Sequence, residues 1–174
     1  MNNQSNNFIN KAGKWMIGLS WLVILGLLTL FFSKILDKQY NPNQNIQTST
    51  LSDGAKEVIL DSSRHGHYVA TGKINDTDVV FLVDTGASFV SVPEGLANRI
   101  GLVKGSPGVA MTANGNVTVY ATILDQVSLG DIVLYNVKGN INPGMRGDEV
   151  LLGMSFLRNL TLTHERGKLS IRQN

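Results

Sequence analysis

With 174 residues, the chain is long enough for one ordinary domain and an additional segment. It contains no cysteine, which excludes disulfides and cysteine-based metal sites. The formal net charge is +2, yet residues 57–174 carry ten Lys/Arg and eleven Asp/Glu, so the sequence shows no basic footprint of a nucleic-acid-binding protein and predicts no nucleic-acid partner.

The first predicted element is an apolar run from Trp15 to Ser33, 19 residues without a charge, which follows a short tail of residues 1–14. As a helix it would be roughly 28 Å long, close to the hydrocarbon thickness of a bilayer. A cleaved signal peptide is the alternative, but its apolar core is usually about 7–15 residues long and ends at small residues. We therefore predict a retained, single transmembrane anchor at residues 15–33 rather than a signal peptide or a buried core helix.

The basic residues beside this run carry little information about its orientation. Lys11 and Lys14 precede the run, and Lys34 and Lys38 follow it, so the positive charges are balanced. The short, asparagine-rich tail is easily left in the cytoplasm. This favours a single-pass membrane protein whose C-terminal portion lies on the periplasmic, or extracytoplasmic, side.

The next segment, residues 34–56, is rich in Asn, Gln, Ser and Thr and has no sustained apolar period. Such a composition is typical of a flexible connection, so we predict a polar tether here. The folded domain is then predicted to occupy residues 57–174, which is enough chain for a single hydrophobic core.

The folded domain is dominated by short β-strand patterns separated by Gly, Asn and Pro. Turns are predicted at Asn75-Asp76 and at Asn114-Gly115, the latter a dipeptide preferred in tight hairpins. In chain order, strands are predicted in "EVIL", "HYVATGKI", "DVVFLV", "SFVSVP", "GVAMTANGNVTVYATILDQVSL", "IVLYNVKGNI" and "LTLTHERGKLSIR", and short helices in "PEGLANRIG" and "MSFLRN". The pattern predicts an all-β sandwich or barrel-like body with one or two short helices.

One tripeptide, Asp84-Thr85-Gly86, follows the apolar run Val79–Val83 directly. Alone it is most simply a turn, because all three residue types are common in turns. The apolar run, however, is typical of a strand buried on both faces, and such a strand would deliver Asp84 into the interior, where a carboxylate is costly to desolvate.

A second apolar stretch ends in a similar way. Val150-Leu151-Leu152 is followed by Gly153 and a predicted short helix. Two apolar strands that each end at a glycine-bearing turn can bring the two turns together, so we expect Leu152 and Gly153 to lie beside Asp84.

Taken together, these pieces resemble the retropepsin-like aspartic proteases, and more narrowly their membrane-anchored bacterial branch. The resemblance extends from His67 to Arg172 and rests on "GHYVATGKIN", "FLVDTGASFVSVP", "ANRIGL", "TANG" and "LLGMSFL". It implies a closed β-barrel or sandwich with a mobile flap hairpin, a polypeptide substrate and an aspartic endopeptidase activity without metal or organic cofactor.

The resemblance also implies roles for single residues. Asp84 would be one half of a carboxylate pair that shares a proton. Thr85 would hydrogen-bond across to the partner loop, and Gly86 would allow the backbone to approach the carboxylates. Ala87-Ser88 departs from the acidic residues that often follow the tripeptide in retroviral enzymes, so an inter-subunit salt bridge of that kind is not expected here.

The sequence contains a single D-T-G tripeptide. One aspartate cannot be both acid and base in this mechanism, so the active species is expected to be a two-fold homodimer in which Asp84 of each copy meets at the axis. Confinement of two copies to a membrane would raise their effective concentration.

The hairpin "MTANGNVTV" corresponds to the flap in this resemblance. Thr112, Ala113, Asn114 and Gly115 would form its tip and offer backbone groups to an extended peptide. Without the resemblance, an ordinary surface hairpin is the simpler interpretation.

Two other functions remain open at this point. The same fold can serve as a peptide-binding or dimerisation module with weak or lost catalysis, and a structural envelope protein is a third possibility. A metal-dependent function is not indicated, because His65 and His67 share a strand face without a third ligand nearby in sequence.

Overall fold

The structure is a computed structural model that describes residues 3–112 and 115–173, with side chains described from residue 13 onward. The chain divides into two compact units, Met1–Lys38 and Gln39–Asn174. Each unit is described by itself below.

The first unit is formed by the long helix α1, Asn3–Tyr40, whose last residues enter the second unit. Its segment Gly13–Tyr40 has a mean hydropathy of 2.2 over its most apolar window, and the apolar side chains there are exposed. By length and composition this helix can cross a membrane, a property that signal sequences and core helices of soluble proteins share. The predicted anchor, residues 15–33, lies within it.

The second unit consists of two β-sheets and two short helices. Its elements are β1 (Thr48–Thr50), β2 (Lys56–Asp61), β3 (Val69–Ile74), β4 (Thr77–Val83), β5 (Val90–Pro93), α2 (Glu94–Arg99), β6 (Pro107–Thr112), β7 (Gly115–Leu129), β8 (Ile132–Asn142), β9 (Glu149–Leu152), α3 (Met154–Leu157), β10 (Thr161–Glu165) and β11 (Lys168–Gln173).

The larger sheet closes on itself. Its strand order is β3-β4-β9-β5-β8-β7-β6, and β3 pairs additionally with β7 through Lys73 opposite Ser128 and Ile74 opposite Val127. Six strands thus form a closed ring, from which β6 extends as an edge strand. The smaller sheet has the order β1-β2-β11-β10. The all-β barrel-like fold expected from the sequence is confirmed.

The barrel encloses a single apolar core. Its largest fully buried side chains are those of Phe81, Phe156, Leu60, Ile74, Leu124, Leu129, Ile132, Ile141, Leu152, Leu157, Ile171 and Val58. Both sheets and α3 contribute side chains to this core. Burial of these side chains fixes the position of the strands and therefore of the loops at their ends.

The turn between β3 and β4 has the predicted geometry. Asn75 and Asp76 both have positive φ angles, 46° and 66°, as a two-residue hairpin turn requires. Asn75 also accepts a hydrogen bond at Oδ1 from the backbone N–H of Gln126, 3.1 Å away, which ties the turn to β7.

The second unit begins at Gln39 and not at the predicted boundary, residue 57. Within the predicted tether, Asn41 and Asn43 are buried, and β1 pairs with β2. The polar composition that predicts a tether does not reveal this packing, because asparagine amides satisfy backbone groups of the folded unit here without any apolar periodicity.

Candidate active site

The C-terminal ends of β4 and β9 lie side by side. The two strands are parallel, with Val83 opposite Leu152, and the backbone N–H of Asp84 donates to the Leu152 carbonyl at 3.2 Å. β9 is placed between β4 and β5, where Leu151 is opposite Ser91. The expected convergence of the Asp84 and Gly153 turns is therefore present in the structure.

The Asp84 carboxylate is held by its own loop. Its Oδ1 atom accepts a hydrogen bond from the backbone N–H of Gly86 at 2.8 Å, and the Asp84 carbonyl accepts one from the N–H of Ala87 at 3.3 Å. These two bonds define a tight turn that fixes the direction of the carboxylate. One carboxylate oxygen is thereby bound to backbone, and the side chain as a whole is half-buried.

Asp84 does not lie in the interior of the chain, contrary to the expectation from the Val79–Val83 run. Val79 and Phe81 are buried, whereas Val80, Leu82 and Val83 are only half-buried, and Thr85 and Gly86 are exposed. The reason is that β4 covers the core with one face only, and Val80 lines an open groove. In a single chain, the Asp84 loop therefore faces outward.

Gly153 allows the two turns to meet. A Cβ atom on it would lie 2.3 Å from the Phe89 carbonyl oxygen and 2.7 Å from that of Ala87, distances that real contacts essentially never reach. A Cβ atom on Gly86 would lie 3.1 Å from Oδ1 of Asp84. The close backbone contacts therefore give a steric reason for glycine at position 153, whereas a side chain at Gly86 would require Oδ1 of Asp84 to shift by only a few tenths of an ångström.

Helix α3 binds the far side of the Asp84 loop. The backbone N–H groups of Met154 and Ser155 donate to the carbonyls of Ala87 and Ser88 at 2.8 and 3.0 Å. The Ser155 hydroxyl, which is buried, accepts a hydrogen bond from the N–H of Val90 at 2.9 Å. The segment 87–90 is consequently held at three of its residues, Ala87, Ser88 and Val90.

Sequence reasoning did not identify Ser155. A serine after a glycine at the start of a short helix is an ordinary first-turn residue. Its partner, Val90, is 65 positions away in the sequence, so no local pattern indicates the contact.

The hairpin of β6 and β7 contains the predicted flap. Pro107 is opposite Tyr120 and Thr112 is opposite Gly115, whose φ is +106°. The Thr112 hydroxyl donates to the Gly115 carbonyl at 2.8 Å. Of the predicted tip, Ala113 and Asn114 lie outside the described residues, so the assignment of residues 112–115 as a flap stays a prediction.

The β6 arm of this hairpin is solvent-exposed on one face. Val109 and Met111 are two positions apart in β6, so their side chains lie on the same face of the hairpin. The Met111 side chain is 89% exposed. On the other face, Val119 is buried, and Val117 packs close to Gly144 in the loop before β9. The hairpin base is therefore packed on the barrel, and among the described residues β6 is the end strand of its sheet.

A groove of about 610 Å³ lies at the opposite end of β4 and β9 from Asp84. Its lining includes Arg99, Arg146, Asp148 and Glu149, and Arg99 forms an ion pair with Asp148 at 2.7 Å. Burial raises the pKa of Glu149 above its usual range. The raised pKa therefore belongs to a residue of the groove and not to the Asp84 loop.

The raised pKa of Glu149 predicts a pH-dependent stability effect. The folded state binds more protons than the unfolded state between 4.5, the ordinary value, and the raised value, so stability falls as pH rises through that window and is constant above it. We expect Glu149→Gln to be more stable than the wild type at pH 7.5 and nearly equal to it at pH 3.5, as measured by urea midpoints. An equal difference at both pH values would contradict this.

Within the described residues, no group of three or more His, Cys, Asp and Glu side chains is arranged to hold a metal ion. His65 and His67 accordingly have no third ligand among them. The chemistry that remains at the Asp84 loop is that of a carboxylate, backbone amides and exposed apolar side chains such as Phe89.

Comparison with known proteins decides the family. Residues 70–159 match the family described as "gag-polyprotein putative aspartyl protease". The chain belongs to this family of aspartyl proteases. The match contains the Asp84 loop, the β6–β7 hairpin, Gly153 and Ser155, and it leaves out α1, β1, β2, β10 and β11.

Relatives of the chain include two uncharacterised bacterial proteins. One, encoded in the cobV 5′ region of a Sinorhizobium species, is 34% identical over 120 residues, which are 67% of this chain and 52% of the relative. The other, from Rickettsia prowazekii (strain Madrid E), is 33% identical over 104 residues, 58% of this chain and 44% of the relative. The chain thus spans about half the length of the curated relatives it matches.

The retropepsin-like fold is confirmed by a solved structure. The crystal structure of a retropepsin-like aspartic protease from Rickettsia conorii superimposes with a TM-score of 0.58 at 24% identity, covering 73% of this chain and 94% of the other. The family resemblance expected from the sequence motifs is therefore confirmed, and the barrel described above is the retropepsin-like barrel.

Proposed function

We propose that this protein is a membrane-anchored aspartic endopeptidase whose catalytic carboxylate pair is formed by Asp84 from two copies of the chain. The observation that supports this most directly is the Asp84 loop: the Gly86 N–H holds its outward-facing carboxylate, and Leu152 and α3 hold its backbone. In an aspartyl protease, a half-buried carboxylate held at the surface supplies one of the two carboxylates that the catalytic site needs.

The proposed reaction follows from two carboxyl groups that share one proton. At a separation of about 3 Å both cannot be ionised. The ionised Asp84 takes a proton from a water molecule as the water oxygen attacks the peptide carbonyl carbon. The protonated Asp84 of the other copy donates its proton to the carbonyl oxygen. Breakdown of the tetrahedral intermediate then breaks the C–N bond and transfers a proton to the leaving amine.

The proposed dimer uses surfaces that the single chain leaves open. Thr85 is exposed, and the Phe89 side chain on the same loop is 45% exposed. By contrast, β11 lies between β2 and β10, so both of its edges are occupied by strands of its own chain. We therefore place the partner against the Asp84 loop, where Thr85 of each copy would bond to the other loop.

The proposed substrate is an extended segment of polypeptide. A peptide in β conformation can pair with β6 at Pro107–Met111, since β6 is the end strand of its sheet among the described residues, and lie between the hairpin and the carboxylates. Apolar side chains of the substrate would be selected by apolar side chains of the hairpin such as Val109 and Met111. A folded domain would not fit this mode of binding, because its strands are already paired.

The proposed anchor is α1, with the second unit on the extracytoplasmic side. Its 28-residue segment Gly13–Tyr40 contains the 19-residue uncharged run, which is about as long as a bilayer requires. Two anchored copies meet in a plane rather than in a volume, which favours the weak association of a small interface.

Digestion of an unfolded protein by the full chain in detergent tests the proposal. We expect cleavage at mildly acidic pH and no loss of activity when a metal chelator is added. Binding of the peptide without any turnover would instead identify a peptide-binding module, the alternative use of this fold.

Ser155 is proposed as a positioning residue for Asp84. Ser155→Ala removes the acceptor of the buried Val90 N–H, which loosens the loop, and is expected to lower kcat on the order of tenfold with little change in KM. Ser155→Thr keeps the hydroxyl and should restore kcat. An equal loss in both variants would assign Ser155 to packing alone.

A further inference from the structure

The connection into the second unit is built from buried asparagines. Asn43 is 7% exposed, and its amide group donates to the carbonyls of Asp61 and Val69 at 2.9 and 2.7 Å while its Oδ1 accepts from the Asp61 N–H at 2.8 Å. One side chain thus satisfies three backbone groups at the ends of β2 and β3. These groups would be left unpaired if Asn43 moved away.

The neighbouring contacts bind the same segment. The Asn43 carbonyl accepts from the N–H of Thr71 at 3.0 Å, and the Asn43 N–H donates to Oδ1 of Asn41 at 3.0 Å. Asn41, 5% exposed, donates from its amide to the Thr71 hydroxyl at 3.0 Å. Since each buried polar group left without a partner costs about 1–3 kcal/mol, residues 41–43 stay attached to the barrel and do not serve as a spacer.

The remaining connection is short. Only seven residues, 34–40, separate the uncharged run that ends at Ser33 from Asn41. Even fully extended they reach at most about 25 Å, whereas an unattached segment 34–56 would reach about 80 Å. This limit follows from chain length alone and holds for any arrangement of the two units.

The size of the folded unit limits the further distance between the end of this connection and Asp84. A unit of the size of Gln39–Asn174 has a radius of gyration of about 14 Å and is roughly 40 Å across. Asp84 is therefore confined to within about 65 Å of the end of the apolar run. An enzyme with a free tether would sample roughly twice that height.

We infer that this protease acts on extended segments of other membrane-attached proteins that lie near the bilayer surface. The inference rests on the proposed function, both the anchoring and the proteolysis. Its physical reason is that a substrate anchored in the same membrane is concentrated within the zone that Asp84 can reach, whereas soluble chains and distant segments are not.

Proteoliposomes that contain the full chain test the inference. The substrates are single-pass test proteins with one identical cleavage sequence, placed either directly after the membrane helix or beyond a rigid helical spacer of about 90 Å, and the free peptide of that sequence. We expect the near site to be cleaved at least about tenfold faster than the far site, because a 90 Å spacer exceeds the reach of about 65 Å.

A matched enzyme variant carries a flexible Gly/Ser insert of about 60 residues between Tyr40 and Asn41, which leaves the asparagine contacts in place. It should cleave the free peptide with unchanged kcat/KM and lose most of the preference for the near site.

Equal cleavage of near and far sites by the enzyme without the insert overturns the inference and leaves the proposed function standing. Failure of both enzymes to cleave the free peptide overturns the proposed proteolysis, and failure to float with the liposomes overturns the anchoring; the inference falls with either.

Discussion

Replacing Asp84 by Asn is expected to lower kcat for peptide hydrolysis by about 10³–10⁴-fold or more, since the substitution removes both the base and the acid from the dimer. Folding should be unaffected, because the amide oxygen of Asn can still accept the hydrogen bond from the Gly86 N–H. The measurement is the initial rate of cleavage of a fluorogenic peptide at mildly acidic pH, with the variant's circular dichroism spectrum compared with that of the wild type.

Asp125→Asn is the matched control. Asp125 is an exposed carboxylate on β7, and its neutralisation changes the net charge by the same amount without touching the Asp84 loop. We expect wild-type activity from this variant. Cleavage by Asp84→Asn at the wild-type rate would exclude the proposed mechanism, whatever the state of the fold.

Gly153→Ala is expected to destabilise the second unit by about 3 kcal/mol or more. The added methyl group would lie 2.3 Å from the Phe89 carbonyl oxygen, and that oxygen belongs to backbone that cannot rotate away as a side chain can. Relief requires separating α3 from residues 87–90, which also breaks the hydrogen bonds that hold the Asp84 loop.

Urea unfolding measures this effect. Both tryptophans, Trp15 and Trp21, lie in α1, so the second unit is followed by the β signal in circular dichroism rather than by tryptophan fluorescence. Gly108→Ala serves as the comparison, because a Cβ atom there has open space and should change the midpoint by little. Equal midpoints for the two variants would show that the turns do not meet as closely as described.

The family and the barrel were predictable because their signals are local. Most of the strands have a short apolar pattern with turn residues at its ends, as at Asn75-Asp76, and β1, with the sequence TST, is an exception. The convergence of Asp84 with Gly153 was predictable for a related reason: both follow apolar strands, and parallel strands end at the same edge of a sheet.

Three features depended on contacts that the sequence does not display. The attachment of Asn43 requires knowledge of which backbone groups at Asp61 and Val69 lack partners. The role of Ser155 depends on Val90, which is close only after folding. The exposure of Asp84 depends on which face of β4 the core covers, and a run of apolar residues is compatible with burial of one face or of both.

The outward-facing position of Asp84 changes how the single D-T-G tripeptide is interpreted. A buried carboxylate would have needed a partner within its own chain, whereas a half-buried carboxylate on an exposed loop can meet its equivalent in another copy. Under the proposed function, the site of hydrolysis belongs to two chains, and each chain supplies one half of it.

Mixing wild-type chain with the Asp84→Asn variant tests this requirement. At a fixed amount of wild type and random pairing, a ninefold excess of variant leaves roughly one tenth of the wild-type chains paired with another wild-type chain. Because mixed dimers hold a single Asp84 carboxylate, we predict that peptide cleavage falls to about one tenth. Cleavage that stays constant across the titration, with pairing of the two forms verified by cross-linking, would show that one Asp84 suffices and would contradict a catalytic site shared between two copies.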